Sequence, residues 1–88
     1  MSTVFSGLFR AIVIDNRDPS GLMRVKVVIP EIFSEGTASW AAACLVSDHP
    51  IIPEEGDEVW IAFERGDPDY PVWLGKAVSQ PLEIRKRR

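Results

Sequence analysis

The clearest alternation in the chain runs through Glu58-Val59-Trp60-Ile61-Ala62-Phe63-Glu64. Val59, Ile61 and Phe63 share one side and Glu58, Trp60, Ala62 and Glu64 the other, which is the period-2 signature of a half-buried strand. Glu64-Arg65-Gly66-Asp67-Pro68-Asp69 follows as a turn. Glycine accepts positive φ there, proline fixes the backbone, and the aspartates bond nearby amides. Residues 70–74 resume a β-prone run, and Gly75 permits a bend or a bulge. The block predicts a hairpin in which Trp60 points out of the wall and Trp73 sits near it on the neighbouring strand.

The same pattern predicts three further strands. Residues 7–15 (GLFRAIVID) are nearly all apolar at their end, as in a strand buried on both sides or closed into a barrel. Asn16-Arg17-Asp18-Pro19-Ser20-Gly21 is a turn by composition. In residues 22–29 (LMRVKVVI), Met23, Val25, Val27 and Ile29 point one way and Arg24, Lys26 and Val28 the other, until Pro30 ends the strand. Residues 31–39 read as a polar loop with room for one helical turn. The alanine run in residues 40–46 (WAAACLV) is compatible with helix, but its short length, β-branched end and strand context favour a third strand. Residues 47–56 hold Pro50 and Pro53 and form a loop. Five short strands in 88 residues predict an all-β fold, a small closed or partly open barrel. The expected layout is an arm (1–6), a barrel domain (7–78) and a basic tail (79–88).

So small a domain is only marginally stable alone. Cys44 is the only cysteine, so no intramolecular disulfide staples it, and no Cys/His pairs are spaced to hold zinc. Stability therefore rests on a compact core or on association with other subunits. The three tryptophans exceed what such a core obviously needs, which favours association. The opening residues MSTVFSGLFR lack the basic and long apolar regions of a signal peptide, and no run approaches the ~20 apolar residues of a membrane span, so assembly in the cytoplasm is expected. The net charge is −3, unevenly spread. Four of the ten basic residues are Arg85, Lys86, Arg87 and Arg88, which leaves six against 13 acidic groups over residues 1–84, a net of −7. An acidic body weighs against a nucleic-acid face, which needs a basic stripe.

These residues also resemble a known family. Gly7-Leu8-Phe9-Arg10-Ala11, Asp15-Asn16, Asp18-Pro19, Gly21, Arg24-Val25-Lys26-Val27 and Pro30 look like the opening of the oligonucleotide/oligosaccharide-binding (OB-fold) domain of phage baseplate spike proteins. The same module occurs in the valine-glycine-repeat spikes of type VI secretion systems. Trp40-Ala41, the Gly56-Asp57-Glu58-Val59 block and Gly66-Asp67-Pro68-Asp69-Tyr70-Pro71-Val72-Trp73-Leu74-Gly75 complete the match in order. The resemblance implies a five-stranded Greek-key OB barrel and a homotrimer on the tail axis of a virion baseplate, with hub and spike-tip subunits as partners. It also implies no catalytic step, no cofactor and no insertion into a membrane. Six residues precede Gly7 and the 13 residues 76–88 follow Gly75, so the expected role is that of the OB module alone: a plug, adaptor or spike base docked on separate hub subunits.

Individual residues carry competing readings. Trp60 and Trp73 either cover barrel ends or form a subunit interface, where aromatic residues concentrate and dominate binding. Trp40 reads as a core or rim residue. Arg85, Lys86, Arg87 and Arg88 read as a solvated end, or as a charged contact with an acidic neighbour. Gly56, Asp57, Gly66, Asp67, Pro68, Asp69 and Gly75 read as structural turn residues. The acids Asp57, Glu58, Asp67 and Asp69 lack the continuation of a calcium loop and the cleft of a paired-carboxylate site. Cys44 in an apolar strand reads as an inert core residue rather than a nucleophile paired with His49. The alternative function is a single-stranded nucleic-acid-binding OB protein, but such proteins need basic groups interleaved with stacking aromatics. Arg24 and Lys26 have no aromatic between them in the chain, so nucleic acid is a disfavoured partner.

Overall fold

A computed structural model of the chain describes residues 4–32, 37–45, 47 and 49–78. The alternating segments form β1 (Phe9–Asp15), β2 (Val25–Val28), β3 (Ser39–Ala43), β4 (Glu58–Phe63) and β5 (Pro71–Lys76). They close into a barrel in the order β1-β2-β3-β5-β4. All neighbours are antiparallel except β3 and β5, which run parallel with Ala42 opposite Val72 and Ala43 opposite Trp73. A parallel pair needs a crossover, and the chain makes it by sending β4 round to the far side of β5, where it also closes on β1. No α-helix occurs among the described residues; a single 3₁₀ turn, Glu64–Gly66, opens the β4–β5 connection. This is the five-stranded OB architecture.

Closure explains the faces. Ala11 and Val13 of β1, Val25 and Val27 of β2, Ala41 of β3, Val59, Ile61 and Phe63 of β4 and Trp73 of β5 point inward and are buried. Their alternate neighbours form the outer wall, where Ile14 is exposed. The apolar run in β1 thus reflects a barrel wall with an uneven outer face, not a strand covered on both sides.

The ends are plugged differently. At one end the rings of Phe5, Phe9 and Phe63 pack at centroid distances of 5.5–6.1 Å, and Phe5 N–H donates to Gly66 C=O at 2.9 Å. At the other, the Trp73 indole N–H donates to Met23 C=O at 3.1 Å, and Ile52 packs against the core.

The structure departs from the sequence reading at Met23 and at Cys44, and meets it at the β5 bulge. Met23 does not continue the inward face of β2: it has φ +62° and is exposed, because the loop before β2 is held by Asp18. β3 ends at Ala43, so Cys44 lies beyond the strand and is exposed rather than in the core. β5 carries its bulge at Leu74: Trp60 pairs with Gly75 while the adjacent Ile61 pairs with Trp73. That extra residue is the distortion Gly75 was expected to permit.

Candidate interaction surfaces

Outward residues of adjacent strands meet as cross-strand pairs, so each outer tryptophan is defined by what faces it. Trp60 on β4 lies between Arg10 of β1 and Gly75 of β5. The missing side chain at Gly75 leaves room beside the indole, and the Arg10 guanidinium sits 4.5 Å from the ring centroid on the other side. Arg10 Nη1 also donates to Glu58 Oε1 at 3.2 Å. Trp60 is half-buried, and its stack with Arg10 is worth about 0.5–1 kcal/mol at such a site. The result is an amphipathic patch in which an indole lies beside an exposed pair of opposite charges.

Trp40 on β3 forms a second patch. It faces Lys26 across the β2–β3 pair, with the Lys26 amine 5.7 Å and the Arg24 guanidinium 5.2 Å from the ring centroid. An aromatic therefore does stand against the two basic residues of β2 and its approach, contributed by the neighbouring strand and so invisible in the linear order. Arg24 is not a free cation, however. Its Nε and Nη2 grip Asp18 at 3.0 and 2.9 Å. Asp18 also accepts the backbone N–H groups of Ser20, Leu22 and Arg24. The guanidinium and these amides hold its carboxyl well below the usual carboxylate range, and Asp18 raises the Arg24 pKa in return. A shallow depression of about 290 Å³ beside Trp40 is also lined by Glu64, Asp69 and Tyr70, so acidic groups border it. The sequence reading treated Asp18 only as part of a turn. The signal was present in Asp-Pro-Ser-Gly, because an aspartate opening such a turn accepts amides two residues on.

Trp73 does not accompany Trp60. Its partner is Ile61, one residue along and therefore on the opposite face of the wall, and it is only 4 % exposed. The interface role expected for Trp73 is corrected: its ring is core, and its polar atom is spent on Met23 C=O.

The turn residues act on the backbone. Gly56 (φ +93°) and Gly66 (φ +76°) take conformations that suit glycine. Asp57 accepts Glu54 N–H at 2.9 Å and lies 3.6 Å from the Lys76 amine. Asp67 accepts Asp69 N–H at 3.0 Å, and the turn through Pro68 closes with Tyr70 N–H donating to Asp67 C=O. Cys44 and His49 line one depression without a hydrogen bond between them. Among the described residues no group of three or more His, Cys, Asp or Glu is placed to hold a metal ion. Arg85, Lys86, Arg87 and Arg88 lie outside the described residues.

Comparison with known proteins supplies the context. A family model described as the type VI secretion system/phage-baseplate injector OB domain matches residues 9–77. No curated protein matches the chain.

Proposed function

Because this chain belongs to the injector OB-domain family of type VI secretion systems and phage baseplates, we propose that it is a spike or hub-adaptor subunit that assembles as a homotrimer on the tail axis and docks on separate hub and spike-tip subunits. Its work is mechanical. The barrel transmits force along the axis as a stiff unit, with no chemical step.

The observation that carries this reading is the Trp60–Arg10 patch on the outside of a closed barrel. A closed barrel has no sheet edge to offer a partner, so association must use the outer wall. A threefold ring is built from head-to-tail contacts, and each copy must present two different faces. The barrel offers two outward indoles on different strands, separated by β5: Trp60 on β4, against β1, and Trp40 on β3, against β2. In the proposed trimer the Trp60 face of one copy meets the Trp40 face of the next.

The mass in solution tests this, measured by light scattering or native mass spectrometry for wild type and Trp60→Ala. A wild-type trimer that becomes monomeric on substitution is the expected result. A trimer indifferent to Trp60→Ala removes Trp60 from the interface, and a monomeric wild type means that any threefold symmetry is imposed by a hub partner.

The single-stranded nucleic-acid reading draws support from Arg24 and Lys26 against Trp40. Asp18 already neutralises Arg24, and Glu64 and Asp69 repel phosphate from the adjoining depression. Titration with an oligonucleotide at low and high salt is expected to show no salt-dependent binding.

A further inference from the structure

Trp40 and Tyr70 each stand two residues before a member of the parallel β3–β5 pair, Ala42 opposite Val72, and both line the shallow depression of about 290 Å³ on the outer wall. Glu64 and Asp69 line it too and are exposed. The hairpin turn fixes where they stand: Glu64 N–H donates to Tyr70 C=O at 2.9 Å, and Asp69 N–H to Asp67 Oδ1 at 3.0 Å. Among the described residues neither carboxylate forms an ion pair. Arg24 lines the depression as well, but it is committed to Asp18. Lys26 faces Trp40 from β2, on the opposite side of β3 from β5. Two aromatic rings and two unmatched carboxylates around one opening suit a cation, since the ring faces and the carboxylate oxygens both attract positive charge.

On the premise of the head-to-tail trimer proposed above, we infer that Arg10 of one copy enters this depression on the next copy and bonds Glu64 and Asp69 there. Charge complementarity selects this occupant. The side chain of Arg10 is 45 % exposed, and its guanidinium lies 4.5 Å from the Trp60 ring centroid while donating to Glu58. A guanidinium is planar and carries five N–H donors, so it stacks by its face and donates from its edge to more than one carboxylate. Arg10 therefore stays on its own indole as it meets the acidic rim of the neighbour. Lys76, the next residue along β5 from Gly75, lies 3.6 Å from Asp57, and its compact ammonium lacks that planar fork. The pairing also orients the ring. A basic group beside Trp60 meets an acidic rim beside Trp40, and opposed like charges disfavour the reversed arrangement.

Reversing the charge on each side in turn tests the pairing. Arg10→Glu and Glu64→Arg/Asp69→Arg alter only exposed positions, and thermal melts followed by tryptophan fluorescence establish that the barrel is intact in each variant. The mass of the full chain is read by native mass spectrometry over a dilution series. Each one-sided reversal is expected to weaken trimer association by at least about thirty-fold, the lower end for losing one partner of a desolvated charge pair. The chain carrying all three substitutions is expected to trimerise again, because every acidic group then meets a basic one. Damage to either face for an unrelated reason would not be repaired by damage to the other. A wild-type trimer that tolerates the one-sided reversals, or that combining them does not restore, overturns the role of Arg10 and leaves the trimer standing. A wild type that is monomeric at every concentration removes the trimer itself, and the Arg10 contact with it.

Discussion

At the residue scale, Asp18 organises more of the surface than its position in a turn suggests. One side chain, only 3 % exposed, accepts three backbone amides and a two-nitrogen grip from Arg24. Its folded pKa lies far below the ordinary 3.8, so the unfolded chain binds the extra proton in acid. The stabilisation is fully present above about pH 4 and is lost progressively as pH falls below that value. Asp18→Asn is expected to lower the melting temperature at pH 7 and to flatten the decline of stability below pH 4, measured by thermal melts across pH 2–7. Gly66 offers a sharper test. A β-carbon there would meet Val4 Cγ1 at 2.5 Å, on a backbone with φ +76°. Gly66→Ala is expected to cost about 1–2 kcal/mol from backbone conformation alone, read from urea unfolding. Gly56→Ala has the same backbone penalty with open space around the added carbon, so it isolates the conformational part. These glycines were legible in the sequence because Gly-Asp pairs flank β4. The Asp18–Arg24 grip was not, since a six-residue separation says nothing about how a loop closes.

At the element scale, legibility depended on whether the two faces of a strand differ. In β4 they do: Val59, Ile61 and Phe63 alternate with Glu58, Trp60 and Ala62, and the structure buries just those three. In β5 they do not. Pro71 and Trp73 on one face and Val72 and Leu74 on the other are all apolar, so the alternation leaves open which face turns inward. Pairing with Ile61 decides it, and that pairing is a property of the closed barrel. Trp40 was ambiguous for a related reason, because its partner Lys26 lies on another strand and no local pattern links them. The consequences for β4 and β5 are measurable. Ile61→Ala empties a fully buried position and is expected to cost about 2–5 kcal/mol, enough to unfold much of the population of so small a domain. Trp73→Phe keeps a ring in the core but strands the Met23 carbonyl. A loss of roughly 1 kcal/mol from the missing hydrogen bond is expected, together with an increase in proteolysis at the loop before β2.

At the scale of the whole molecule, the barrel is held by contacts that are remote in sequence. β1 pairs with β4 from Phe9 opposite Ile61 to Ile12 opposite Glu58, so closure joins the first strand to the fourth across the intervening chain. Such topologies must lose loop entropy before their core forms, and domains of this kind fold in milliseconds to seconds. Stopped-flow refolding followed by tryptophan fluorescence is expected to fall in that range. The barrel core and the arm that plugs one end should separate kinetically. Ile61 sits where β4 meets both β1 and β5, so Ile61→Ala is expected to slow folding as well as destabilise. Phe5 belongs to the arm, packing on Phe9 and Phe63 and bonding Gly66 only once the β4–β5 turn and the end of the barrel exist. Phe5→Ala is therefore expected to leave the folding rate nearly unchanged and to speed unfolding, the behaviour of contacts made after the transition state. If Phe5→Ala instead slows folding, the arm takes part in closing the barrel, and the plug is a nucleus rather than a late seal. That distinction bears on the proposed force-bearing role, because a seal formed last is also the first contact to open under load.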